Sequence, residues 1–136
     1  MDISEDALAV TRRNLDQYGL DATVQQGNLL ENITDEYDMI VSNPPYIESH
    51  VIGTLMPEVR EYEPMLALDG GEDGLVFYRS IIQQAVSHLR EHGWLFFEIG
   101  YNQGNTVAAL MKEHGFSEVQ VVKDYAGLDR VVYGHL

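Results

Sequence analysis

Asn43-Pro44-Pro45-Tyr46 is the segment of this 136-residue sequence best equipped for chemistry. It follows Tyr37-Asp38-Met39-Ile40-Val41, a short, nearly all-apolar run that predicts a buried strand. Two consecutive prolines cannot continue a strand ladder, so the strand stops there. The carboxyl ends of strands are where open α/β sheets hold their ligands. The prolines lock the backbone, so the Asn43 side chain and the Pro44 carbonyl point in fixed directions. Two rigid acceptors of that kind suit the NH₂ group of a planar amine or amide. A plain strand-ending turn uses the same residue types, but four specified residues directly behind an apolar strand favour the binding role.

Other constellations are weaker. Asp69-Gly70-Gly71-Glu72-Asp73-Gly74 has the glycines of a phosphate cradle, but its three carboxylates would repel a phosphate. A calcium loop starting at Asp69 needs Glu at its twelfth position, where Ser80 stands. A helix-capping turn, with Asp73 near the N-terminus of the next helix, is the simpler reading. His88 and His92 are spaced to share a helix face as zinc ligands do, but no third ligand is evident and no metal is assigned. The sequence has no cysteine, which excludes a disulfide scaffold, a thiolate metal site and a cysteine nucleophile. Its 8 Lys and Arg against 22 Asp and Glu give a net charge of −14, which opposes unguided binding to a phosphate backbone. No run of about 18 apolar residues spans a membrane, and the acidic Met1-Asp2-Ile3-Ser4-Glu5-Asp6 does not read as a secretory signal. The expected address is the cytoplasm.

The elements that must position these residues follow from periodicity. Ser4 caps a first helix, with Glu5 and Asp6 in its first turn and Gly19 at its end. Residues 22–26 form a short strand candidate ahead of the strand at 37–41. Residues 43–73 are mostly loop, with one helical turn near Thr54–Glu61; a loop of that length is usually functional. Val76, Phe77, Ile81, Ile82, Ala85, Val86 and Leu89 fall on one face of a helix over 75–90, which Gly93 ends. A buried strand over 94–99, a helix over 103–114 ended by Gly115, and two strands near 118–124 and 130–134, turning at Ala126-Gly127, complete the chain. One domain over residues 1–136 is expected. Its sheet should be mostly parallel, with an antiparallel C-terminal pair at one edge.

Asn-Pro-Pro-Tyr behind such a strand resembles the S-adenosylmethionine-dependent methyltransferases that act on planar nitrogens, adenine or the glutamine side-chain amide. Further segments narrow the resemblance to the peptide-chain release factor glutamine methyltransferases. These are Pro57-Glu58-Val59-Arg60-Glu61-Tyr62-Glu63-Pro64, Ala67-Leu68-Asp69-Gly70-Gly71-Glu72-Asp73-Gly74-Leu75, Phe97-Glu98-Ile99-Gly100 with Gln103, and Gly127-Leu128-Asp129-Arg130-Val131-Val132. The resemblance covers essentially the whole sequence. It implies a class I, Rossmann-like α/β methyltransferase domain, seen in part: the family's first strand and Gly-rich cofactor loop have no counterpart here.

By resemblance, the cofactor is S-adenosylmethionine, leaving as S-adenosylhomocysteine, and the protein substrate is a release factor. Asn43, Pro44 and Tyr46 carry the catalytic role, with Pro45 beside them in substrate binding. Asp2, at the end of what looks like the family's second strand, binds the cofactor ribose. Asn28 replaces the family's usual Asp, keeping hydrogen bonds but no charge, and Leu29 covers the adenine; Asn43 also borders the cofactor. A ribosomal-protein glutamine methyltransferase, a nucleic-acid adenine methyltransferase and a non-catalytic remnant are the alternatives. A sheet lacking its first strand has open edges, so weak cofactor binding and either self-association or a new pairing of its two halves are further expectations.

Overall fold

The computed structural model describes residues 1–58 and 64–136, which form two compact units, Met1–Thr34 and Asp35–Leu136. In the first unit, helix α1 (Glu5–Tyr18) starts where Ser4 accepts the Ala7 N–H and carries Glu5 and Asp6 in its first turn. It closes at Gly19, whose φ of 62° lets the Leu20 N–H reach the Leu15 carbonyl at 2.9 Å. The strand expected over 22–26 is reduced to a single parallel bridge between Asp2 and Gln26. Only Val24 among those five residues is even half-buried, so the segment has no apolar face on which a longer strand would settle.

The second unit is built on a four-stranded sheet in the order β1-β2-β4-β3, with β1 Tyr37–Ser42, β2 Leu89–Glu98, β3 Ser117–Lys123 and β4 Asp129–His135. β1 and β2 run parallel, whereas β4 pairs antiparallel with both β2 and β3. The C-terminal antiparallel pair is as expected, with β4 threaded inside. Among the described residues, the helices α2 (Ser49–Ile52), α3 (Met65–Leu68) and α4 (Val76–Ala85) lie between β1 and β2, and α5 (Gly104–Glu113) leads from β2 to β3. The core joins Tyr78, Ile81, Ile82 and Ala85 of α4 and Val107 and Met111 of α5 to Leu95, Phe97 and Val132 of the sheet, all buried.

Two boundaries differ from expectation. The helix over 75–90 stops at Ala85, where the Ser87 and His88 N–H groups reach back to the Gln84 and Ala85 carbonyls. Leu89 then enters β2 opposite Tyr37, because a buried leucine satisfies a strand as well as a helix face. Gly93 therefore ends no helix. It lies in β2, beside a register slip between Tyr37↔Leu89 and Met39↔Trp94 that places His92 at φ 64°. His88 and His92 accordingly share no helix face. In the long connection, described helical turns lie at 49–52 and 65–68; of the turn expected near Thr54–Glu61, residues 57–58 are helical and 59–61 lie outside the described ones. No described helix is long and apolar enough to cross a membrane.

β1 is an outer strand of the sheet, and its Met39 and Val41 are 53% and 70% exposed. An apolar, unblunted edge recruits further strands. The purified 136-residue chain should therefore self-associate with rising concentration in static light scattering, and Val41→Lys should reduce the effect. A monomer across the whole concentration range would rule this edge out as an assembly surface.

Candidate functional site

β1 delivers the chain to the site. Ser42 is still paired with Phe97 of β2, and the next residue, Asn43, is exposed at the strand's carboxyl end. Pro44 is buried, and Pro45 and Tyr46 are half-buried. Among the described residues the Asn43 side chain and the Pro44 carbonyl have no hydrogen-bond partner. The ladder resumes immediately beyond: Ile47 bridges Asp69, with Ile47 N–H donating to the Leu68 carbonyl at 3.0 Å and Gly70 N–H to the Ile47 carbonyl at 2.8 Å. The Ser49 hydroxyl donates to Asp69 Oδ1 at 2.6 Å, and the Gly71 N–H reaches the same oxygen at 2.9 Å.

The Asp69–Gly74 segment is thus more than a capping turn. Asp73 does accept the Leu75 N–H at 3.1 Å and pairs with Arg79, which fixes the start of α4. The glycines have a separate reason. A Cβ on Gly70 would lie 2.7 Å from Tyr46 Cα, and one on Gly74 would lie 2.5 Å from the Tyr46 oxygen. Only bare backbone lets the two loops pack this closely.

Gln103, 7% exposed at the start of α5, joins the loops. Its Nε2 donates to the Tyr46 and Gly74 carbonyls, both at 3.1 Å, and its Oε1 accepts the Gly100 N–H at 2.9 Å. Those partners dictate which way the amide faces. Tyr78 packs edge-on against Phe97, its hydroxyl donating to the Glu98 carbonyl at 2.9 Å and lying 3.4 Å from Gln103 Oε1. Burial, with Tyr46 and Glu98 nearby, pushes the Tyr78 phenol far above its usual pKa and keeps it a neutral donor. Arg130 supports the end of β2 from the other side: its Nη1 donates to the Ile99 carbonyl at 3.2 Å while Asp124 holds the rest of the guanidinium.

In the first unit, a parallel bridge pairs Asp2 with Gln26, two residues before Asn28, through Asp2 N–H to the Gln25 carbonyl and Gly27 N–H to the Asp2 carbonyl. Asp2 Oδ1 accepts the Ser4 N–H at 2.8 Å, and Asn28 Nδ2 donates to Glu31 at 3.1 Å. Leu29 has φ 53°, a left-handed conformation that a branched side chain adopts only under strain. Such strain concentrates where ligands are held.

Comparison with known proteins bears on the same residues. The family model "Methyltransferase small domain" matches residues 1–59. The release factor glutamine methyltransferase of Agrobacterium fabrum is 47% identical over 133 residues, 96% of this chain and 46% of that protein. Its namesake from Geobacter sulfurreducens is 45% identical over 134 residues, 98% of this chain and 47% of that protein. Over nearly its whole length the chain is similar to release factor glutamine methyltransferases. It spans about half the length of these relatives. A methyltransferase crystal structure from Pyrococcus furiosus superposes with a TM-score of 0.71 over 98% of this chain and 59% of that one, at 17% identity, and so shares the methyltransferase α/β fold.

The supports of Asn43-Pro44-Pro45-Tyr46 are what sequence reasoning missed. Gly70 and Gly74 read from sequence only as part of a capping turn, Gln103 only as part of a family motif, and Tyr78 carries no sequence signal of its own. A lone amide before an amphipathic helix, and glycines recurring beside a proline-locked turn, were the available signals.

Gly74→Ala, at φ 69° and in collision with Tyr46, should lower stability to urea by about 1–3 kcal/mol. An unchanged midpoint would mean that the two loops do not pack so closely. Asp69 is held below the ordinary carboxylate value of 3.8, first by the Ser49 hydroxyl and then by the Gly71 N–H. A depressed folded pKa gives stability that is present above the unfolded value and lost as pH falls through the folded one. Asp69→Asn should therefore flatten the decline of Tm below about pH 4, measured by thermal melts across that range.

Proposed function

We propose that this chain carries the substrate-amide half of an S-adenosylmethionine-dependent methylation of a glutamine side chain in a peptide-chain release factor. The observation that carries the reading is Asn43: an exposed side-chain oxygen with no partner among the described residues, beside the Pro44 carbonyl, on a turn strapped at both ends. An amide nitrogen is a poor nucleophile because its lone pair is delocalised into the carbonyl. Catalysis therefore rests on orientation. Asn43 Oδ1 and the Pro44 carbonyl accept the two amide hydrogens and fix the NH₂ group. Their partial negative charge stabilises the positive charge that develops on nitrogen. Tyr46 packs beside the glutamine side chain and excludes water, and the displaced proton leaves to solvent without a strong base.

S-adenosylmethionine, when bound, supplies an electrophilic methyl group. Three of the residues present suit its ribose and adenine, while the Gly-rich loop for its methionine end has no counterpart here. Asp2 has a second carboxylate oxygen to offer a ribose hydroxyl, Asn28 keeps its amide oxygen, and Leu29 holds a strained backbone beside them. The net charge of −14 favours a protein substrate over nucleic acid.

The test uses a protein carrying these 136 residues, purified release factor and radiolabelled S-adenosylmethionine, with mass spectrometry locating the methyl group on a glutamine. Asn43→Ala should lower turnover by about 100-fold or more while leaving the fold intact, the usual cost of removing one positioned group. Near-normal turnover in that variant would remove Asn43 from the mechanism.

A further inference from the structure

We propose that Gln103 is the positioning residue of the Asn43-Pro44-Pro45-Tyr46 turn, setting where the Asn43 and Pro44 oxygens stand although it touches neither. The argument is geometric. Asn43 leaves a strand that is fixed as far as Ser42 by its pairing with Phe97. Two of the next three φ angles are then fixed by proline rings. The far end of the turn is the Tyr46 carbonyl, held by Gln103 Nε2 at 3.1 Å just ahead of the Ile47 bridge to Asp69. The second Nε2 hydrogen holds Gly74, and Oε1 holds Gly100 at the end of the central strand. One buried amide thus refers the turn to the β2 terminus and to the α4 entry loop together.

The chemistry of the group matters, since both donor hydrogens and the acceptor are used at once. Gln103→Leu keeps the bulk and removes all of it. Gln103→Glu keeps the acceptor, but when ionised it turns a negative oxygen toward two carbonyls. When protonated, that carboxyl again has one donor and one acceptor. The titratable and charged groups around it are the Tyr78 phenol, with Tyr46 and the Glu98 carboxylate near it, Asp129 beside Gly104, and the Arg130 guanidinium at the Ile99 carbonyl. Arg130 is already paired with Asp124, the nearby acids oppose a further negative charge, and burial also disfavours the ionised form, so the introduced carboxyl titrates above the ordinary glutamate value. A folded pKa raised in this way gives stability that is complete at low pH and lost as pH rises through it.

The catalytic half of this inference rests on the amide-methylation reading; the structural half does not. Hydrogen exchange tests the structural half on the 136-residue chain. In Gln103→Leu the amides of Ile47, Gly70 and Gly100 should exchange at least about tenfold faster, while those of the β2–β4 ladder keep their wild-type rates. In Gln103→Glu the Tm deficit relative to wild type should shrink as pH is lowered. Unchanged exchange at Ile47 and Gly70, or a Gln103→Glu deficit independent of pH, would overturn the role. In an active protein carrying these residues, both variants should lower kcat about tenfold to 100-fold with KM for the release factor little changed. A loss confined to KM would overturn the positioning of the acceptors. Absence of methylation by the unsubstituted protein would count against the amide-methylation reading instead, with the exchange result standing by itself.

Discussion

A chain that leaves a sheet through two prolines has given up two backbone donors in succession, and the carbonyls it carries inward must be satisfied by something other than a ladder. Much of the second unit follows from this constraint. The Tyr46 carbonyl is met by the side-chain amide of Gln103, and strand pairing resumes only at Ile47, against Asp69. That pairing determines the course of the long connection, which has to return beside the turn and pass it as backbone alone at Gly70 and Gly74. Each hydrogen bond contributes about 1 kcal/mol net, whereas a buried group left unpaired costs about 1–3 kcal/mol. The arrangement is therefore held mainly by the penalty for breaking it.

The same economy of groups recurs around it. Tyr78 buries its ring against Phe97 and uses its hydroxyl to satisfy the last carbonyl of β2, at Glu98. Arg130 satisfies the next, at Ile99. The carboxyl end of β2 would otherwise present orphan acceptors where the apolar core stops. A phenol and a guanidinium arriving from different elements close that end, and the loop at Gly100 is left in register with Gln103.

The strand before Asn43, the caps of α1 and the C-terminal hairpin were legible because each is local: proline rings, a capping serine, a glycine in the left-handed region. The end of α4 was not, because Val86 and Leu89 suit a helix face and a strand equally, and only the pairing of Leu89 with Tyr37 decides between them. The segment at 22–26 failed for the converse reason: its composition suits a strand, but most of it faces solvent. Gln103 was visible as part of a motif, but its work depends on carbonyls 57 and 29 residues away, which no spacing rule reports. The relatives at 47% and 45% identity bring the family resemblance, while the proposal for Asn43 rests on its geometry.

The threading of β4 between β2 and β3 also sets an order of events. As the chain emerges during synthesis, β1 and β2 are able to pair at once, but β3 has no neighbour until β4 has been made. Its exposed ladder groups must wait through the intervening turn, and β2 keeps one open side for the same interval. Arg130, which closes the end of β2, arrives on that final strand. Completion of the turn's surroundings is therefore a late event in folding, and a nascent chain halted before residue 129 holds the acceptors without the support beneath them.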